Sequence, residues 1–265
     1  MKRLLFSLLG CLLLSAGWSA ASLEAAPSVD EIVARANHMS YYQGQDGRSR
    51  VDMTITDQQG RTRNKSLTIL RKNMDDKDRE QRFYVYFHRP ADERGTVFLV
   101  WKHVGSDDDR WLYLPALDVT KRIAASDERT SFVGSHFFYE DVSGRGIQED
   151  EHELLRTTDN YYVVKNTPKK PEAVEFDHYL TYIHKQSFIP VRAEYYRGET
   201  KYRELSVLEV DGIQGYTTIV KQKMSDLESG GHTVLEFSNV AYDLGLPEDI
   251  FTERYLRRAP REHLR

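Results

Sequence analysis

Apolar residues recur at every second position through most of this chain. In "RSRVDMTITD" the residues Val51, Met53 and Ile55 fall on one face. After the turn "QQGR", the stretch "NKSLTILRK" alternates Leu67 and Ile69 with polar neighbours, which predicts a hairpin. "RFYVYFH" sets Phe83, Val85 and Phe87 opposite Arg82, Tyr84 and Tyr86. Pro90 breaks that run and Gly95 restarts it. "TVFLVWK" gives Val97, Leu99 and Trp101, with Phe98 and Val100 making the second face apolar too. Beyond the turn "GSDDD", "RWLYLPAL" supplies Trp111 and Tyr113, and "TKRIAA" is a further short strand. The second half repeats the style in "YYVVK", "VEFDHYLTYIHK", "IPVRAEYYR", "TKYRELSVLEV", "GYTTIVKQKM" and "HTVLEFSNVAYD". No strand–helix–strand alternation is present, so the pattern predicts a mainly β protein with an antiparallel sheet or barrel.

Two segments depart from period two. Ser28 and Glu31 form an S-x-x-E capping box, and Val29, Ile32, Val33 and Ala36 follow at helical spacing, which predicts an N-terminal helix. Residues 126–156, "SDERTSFVGSHFFYEDVSGRGIQEDEHELLR", are punctuated by glycine and carry Phe132, Phe137, Phe138 and Tyr139. Such a long irregular insertion in a β-domain is expected to be functional or mobile. It reads as helical turns and loop lying across one end or face of the sheet, as a lid or as a core plug.

The first residues change the picture of the compartment. Lys2 and Arg3 precede "LLFSLLGCLLLSAGW", and Ser19 and Ala21 fit a signal-peptidase site, so residues 1–21 read as an export signal and 22–265 as a single β-domain. Cys11, the only cysteine, sits inside the apolar stretch rather than at its end, which argues against lipidation there and leaves the mature chain without disulfides. Of the 265 residues 40% are hydrophobic, with 16 Tyr and 11 Phe, a globular composition. Removing Lys2 and Arg3 takes the formal charge from −4 to −6. A mildly acidic chain has no general attraction for nucleic acid, and the expected location is the periplasm.

Candidate chemistry is sparse. Asp107, Asp108 and Asp109 lack the alternating ligands and terminal Glu of a calcium loop and read as a solvated turn. Ser135-His136 lacks the second glycine of a nucleophile elbow. His136, His152, Glu140 and Asp141 show no metal-ligand spacing. Lys169-Lys170 and the group Arg254, Arg257 and Arg258 are too small for nucleic acid and read as solvated faces. The expectation is therefore no catalytic residue, no metal and no cofactor.

The long stretch from Arg82 to Val142 resembles the LolA-like group of outer-membrane lipoprotein-sorting proteins. The elements that carry the likeness are Pro90-Ala91-Asp92, Arg94-Gly95-Thr96, Trp111-Leu112-Tyr113-Leu114-Pro115 after an acidic turn, and Phe132 through Gly134-Ser135 to Tyr139-Glu140-Asp141. The ending "FSNVAYDLGLPEDIFTERYL" is similar to that group as well. The resemblance implies an unclosed antiparallel β-barrel of about eleven strands, of the LolA/LolB type, with an N-terminal helix and a helical lid over an apolar cavity. It implies a cargo of lipid or acylated lipoprotein, with free lipids or terpenoids equally open. An inner-membrane exporter of the RND/MMPL type and an outer-membrane acceptor are the implied partners. A non-transporting periplasmic accessory subunit of such a machine is the alternative, and a lipid-directed hydrolase a third. Surplus aromatics on inward faces would then line the cavity, namely Phe83, Val85, Phe87, Leu99, Trp101, Trp111 and Tyr113, under a lid of Phe132, Phe137, Phe138 and Tyr139.

Overall fold

The structure, a computed structural model, describes residues 26–265. The expected export signal and Cys11 lie outside them. Thirteen strands form one antiparallel sheet: β1 (Asp46–Thr56), β2 (Thr62–Asn73), β3 (Glu80–Arg89), β4 (Val97–His103), β5 (Asp109–Leu114), β6 (Val119–Ile123), β7 (Asp150–Thr157), β8 (Tyr161–Pro168), β9 (His178–His184), β10 (Pro190–Arg197), β11 (Thr200–Ile213), β12 (Tyr216–Asp226) and β13 (His232–Tyr242). Their order is β6-β5-β4-β3-β2-β1-β13-β12-β11-β10-β9-β8-β7. Each strand therefore pairs with its sequence neighbour, except that β13 returns to β1 and β6 does not pair with β7. Short turns make this possible; Gln214 and Gly215, both at positive φ, form the tight β11–β12 reversal.

The order has a consequence for the one long connection. β6 and β7 are the two free edges of the sheet, and residues 124–149 run between them. A barrel would close by pairing those edges. Here the connecting segment lies in the seam instead, and the sheet stays open with its two edges unpaired to each other. Within the segment a short 3₁₀ turn (Ala125–Asp127), the helix α2 (Tyr139–Ser143) and a second turn (Ile147–Glu149) alternate with loop. The irregular stretch ends earlier than its sequence suggests: Asp150–Thr157 is strand β7, whose exposed residues hide its alternation.

The N-terminal helix α1 (Val29–Asn37) starts at the expected box. Glu31 N–H donates to Ser28 Oγ at 3.2 Å, and Ser28 N–H donates to Glu31 Oε2 at 2.8 Å. A π-helical turn, His38–Tyr42, prolongs it. Its apolar face, Ile32, Val33 and Ala36, packs on Val164, Ile183 and Phe188 of the β8–β9 region.

Both faces of β3, β4 and β5 are buried, each in its own cluster. The inner cluster joins Phe83, Val85, Phe87, Phe98, Val100 and Leu112 to Val51, Met53 and Leu67, to Met224 and Leu235, and to Phe132, Phe137 and Tyr139 of the seam. The outer cluster joins Tyr84, Val97, Leu99 and Trp111 to Leu246, Ile250, Phe251, Leu256 and Leu264 of the C-terminal segment, which contains helix α3 (Arg254–Arg257). Among the described residues no helix is long and apolar enough to cross a membrane.

Candidate ligand cavity

A cavity of about 370 Å³ lies on the inner face. Strands from β3 round to β7 contribute to its wall, which requires the sheet to curl about it. One side is apolar: Val51 and Met53 of β1, Leu67 and Ile69 of β2, Phe83 and Val85 of β3, with Met224, Leu235 and Phe237 from β12 and β13. The other is more polar, with His152, Asn166, Tyr179, Thr181 and Tyr195 from β7 to β10. The helix and its prolongation supply Val33, Ala36, Met39 and Tyr41. The volume falls in the lower part of the roughly 300–1,000 Å³ range of small-ligand sites.

The segment 124–149 roofs this space by aromatic packing and by charge. Phe132 lies 5.4 Å from Phe98 and 5.5 Å from Tyr139, the latter pair edge to face. Phe132 and Phe137 line the cavity. Tyr139 packs beside it, 5.1 Å from Phe98. Phe138 turns away and lies under the Arg203 guanidinium, 3.9 Å from its centroid. Two close approaches depend on glycine. At Gly144 (φ +79°) a Cβ would come within 2.5 Å of the Tyr41 ring, and at Gly231 within 2.4 Å of His136 Nε2.

Ion pairs tie the roof to both sides of the seam. On the β4–β5 side, Arg110 pairs with Glu128 of the roof (2.6 Å) and with Asp108 (2.8 Å). Lys102 donates to the carbonyls of Ser143 (2.9 Å) and Gly144. On the other side, Arg129 donates two 2.7 Å bonds to Glu175 and pairs with Glu140. Arg145 reaches Glu140 (3.1 Å), Glu149 (2.8 Å) and Asp150 (3.0 Å). Arg203 of β11 pairs with Asp141 and donates to the His136 carbonyl at 3.2 Å.

Burial alone would raise the Glu175 carboxyl, but the Arg129 hydrogen bonds and charge outweigh it and bring it down to about 2. Burial also lowers the Arg129 guanidinium, yet Glu175 and Glu140 raise it above its ordinary value. The Lys102 ammonium is held below its ordinary range by burial; Asp108 opposes that shift and Arg110 adds to it.

The residues expected to line the cavity divide by face. Phe83 and Val85 line it, and Phe87 is buried in the same cluster without reaching the space. Leu99, Trp101, Trp111 and Tyr113 belong to the opposite face, which corrects the reading of β4 and β5. The pairs Val85–Phe98 and Phe83–Val100 put Phe98 and Val100 inward, while Tyr84 opposes Leu99. Trp101 Nε1–H donates to the Phe251 carbonyl at 2.7 Å on the outer side. Both faces of "TVFLVWK" are apolar, so alternation could not choose between them. The row Leu67 and Ile69 of β2 was visible in the sequence as one face, and the phase of β3 extends it. Arg129 carried no such signal, because its partner Glu175 lies 46 residues away in the chain.

Other candidate groups have structural partners. Ser135 Oγ accepts from Phe137 N–H at 3.1 Å, and His136 Nδ1 and N–H both meet Thr233 Oγ1 (2.8 and 3.0 Å). His152 bonds Asn166 Oδ1 and the Ile147 carbonyl, each at 2.7 Å. Asp108 is not part of a solvated turn: only 9% of its side chain is exposed and it is bound to Arg110.

A family model whose description reads "-like: Uncharacterized protein" matches residues 79–258. No curated protein matches the chain. Among solved structures it is similar to a DUF1329 family protein from Desulfovibrio piger (27% identity, TM-score 0.78, covering 85% of this chain and 96% of that one). It is also similar to an outer membrane lipoprotein-sorting protein domain from Vibrio parahaemolyticus (24%, 0.77, 86% and 97%). A LolA superfamily protein from Nitrosomonas europaea shares the fold (22%, 0.67, 87% and 100%). Matched by that model over more than half its length, the chain belongs to the family the model describes, and it shares a LolA-like fold with these structures.

Proposed function

We propose that the protein is a periplasmic carrier that takes the acyl part of a lipid or lipoprotein into this cavity and hands it toward the outer membrane or an exporter. The observation that carries the reading is the cavity. Protein interiors are packed with few voids larger than a water molecule, whereas here an apolar wall from five strands faces about 370 Å³ of space. The apolar side of that hollow is a poor site for water and a good one for hydrocarbon. The lipoprotein-sorting description of the Vibrio parahaemolyticus domain supports the same cargo class. The export-signal pattern of the N-terminus supports the periplasm. The reading gives Ser135, His136, Glu140 and Asp141 no catalytic part, in keeping with their structural partners.

Burying one methylene is worth about 0.8 kcal/mol, so a chain of about fourteen gains roughly 11 kcal/mol relative to water. Escape into water is then slow, and release requires an apolar acceptor in a partner or a membrane. The segment 124–149 is the element that would move, with Phe132 and Phe137 on the cargo. Protein purified from the periplasm is expected to yield about one equivalent of lipid on organic extraction and mass spectrometry, and the delipidated protein to bind a polarity-sensitive apolar probe. Protein that carries no lipid and binds no probe, but captures an exporter subunit, would replace the carrier with an accessory module.

A further inference from the structure

We propose that Arg71 is the head-group anchor of the cavity and that its ligand is an acyl chain ending in an anionic oxygen group, a carboxylate or a phosphate. This rests on the carrier reading and names its cargo class. Arg71 lies in the inward row of β2 after Leu67 and Ile69, opposite Gly47 on one side and Phe83 on the other. It lines the cavity. Its acceptors are neutral: Asn73 Oδ1 at 2.7 Å from Nη1, and the carbonyls of Gln43 and of Gly44 (3.5 Å) from Nη2. Nε–H finds no acceptor among the described residues.

The acids nearest in effect are Asp46 and Asp243, and both are already engaged. Asp46 accepts the Leu244 and Leu246 N–H groups at 2.6 Å each, and Asp243 accepts Gln45 N–H and Tyr216 O–H at 2.7 Å each. Burial holds the guanidinium below its ordinary value, the mark of a charge short of compensation. The other inward lining charges are matched: Arg145 by Glu140, Glu149 and Asp150, and Asp141 by Arg203. Arg48 borders the space as well, but it pairs with Leu70 of the outer cluster and shares its face.

A recessed guanidinium without a carboxylate is stabilised by a ligand that brings one, and its planar fork suits carboxylate and phosphate oxygens. Gly47 sits closely beside it; a Cβ there would stand 3.3 Å from the Ala241 carbonyl oxygen and 3.7 Å from Nη2. The tail has a track. Ile69 with its partner Val85, and then Leu67, line the space leading away from Arg71 along β2 and β3, about 13 Å over four residues at ~3.3 Å each.

The test compares acid and ester on the delipidated protein, using cis-parinaric acid against its methyl ester and dodecyl phosphate against dodecanol. Wild type is expected to bind each anion at least about tenfold more tightly than its neutral counterpart, about 1.4 kcal/mol. Arg71→Met should abolish that preference while keeping ester binding, and Arg71→Lys should retain part of it. The carboxylate and phosphate arms tell which anion fits. Equal affinity of wild type for acid and ester would overturn the proposal and leave the carrier intact, as would a loss in Arg71→Met that is the same for both. Binding of none of the four probes would remove the carrier reading and this one with it.

Discussion

Strand β4 buries Val97, Phe98, Leu99 and Val100 completely, yet its two faces meet different interiors. On the outer face, Val97 and Leu99 lie against the C-terminal segment, where Ile250, Phe251 and Leu256 fill the space. The carbonyls of Phe251 and Tyr255 there satisfy Trp101 Nε1–H and the Tyr84 hydroxyl (2.7 and 2.8 Å). On the inner face, Phe98 and Val100 meet a covering segment that packs on them at one end and leaves a void beyond. The covers differ in how they are held. The C-terminal segment follows the last strand and settles on the sheet through apolar contacts and hydrogen bonds, with one exposed ion pair, Arg257–Asp118. Residues 124–149 are pinned on both sides of the seam by Arg110, Lys102, Arg129, Arg145 and Arg203, whose partners fix the height of the roof.

This contrast can be broken on either face. The largest effect is expected from Phe251→Ala, which empties a fully buried site and should cost about 4 kcal/mol in urea unfolding, while the folded fraction binds an apolar probe as the wild type does. Impaired probe binding at unchanged stability would show that the outer cluster is not a separate seal. Arg129→Met leaves Glu140 and Glu175 without their shared cation and should cost about 3 kcal/mol. It should also speed probe release, since it frees one side of the roof; an unaltered release rate would remove the roof from the exchange path.

The Glu175–Arg129 pair also predicts a pH dependence. The folded carboxyl titrates near 2 against an ordinary 4.5. Its stabilisation is therefore complete above pH 4.5 and lost as pH falls from there toward 2. It amounts to at most about 3 kcal/mol, reduced by solvent screening because 29% of the side chain is exposed. The stability difference between wild type and Glu175→Gln should shrink across that window; a difference constant from pH 6 to 2 would contradict the pairing. The smallest stability change is expected from Leu235→Trp, which grows into existing space and should stay within about 1 kcal/mol. Probe affinity should nonetheless fall at least about tenfold, and retention of full affinity would mean that the probe binds elsewhere.

Much of this architecture is readable in the order of residues. Alternation marks Val51, Met53, Leu67, Phe83 and Val85 as one buried row, because hairpins with short turns keep neighbouring strands in phase. The capping pair Ser28–Glu31 marks the helix start from local hydrogen bonding alone. The break in periodicity after Ile123 marks the roof, although its end at Glu149 is hidden by the polar strand β7. The site is less legible. Phe98 and Leu99 are equally apolar neighbours, and only the β3–β4 register, with the C-terminal segment on the far side, sends one toward the cavity and the other away.

The sequence by itself determined that this chain forms an antiparallel sheet or barrel with one irregular span, since strand periodicity, turn residues and a helix cap are local properties. The tertiary structure alone decided which apolar row borders empty space, which arginines hold the roof, and that Arg71 faces the cavity with no carboxylate bonded to it. Those outcomes depend on contacts between strands far apart in the chain. Whether a buried side chain meets a neighbour or a void is settled only when all the surrounding surfaces are in place.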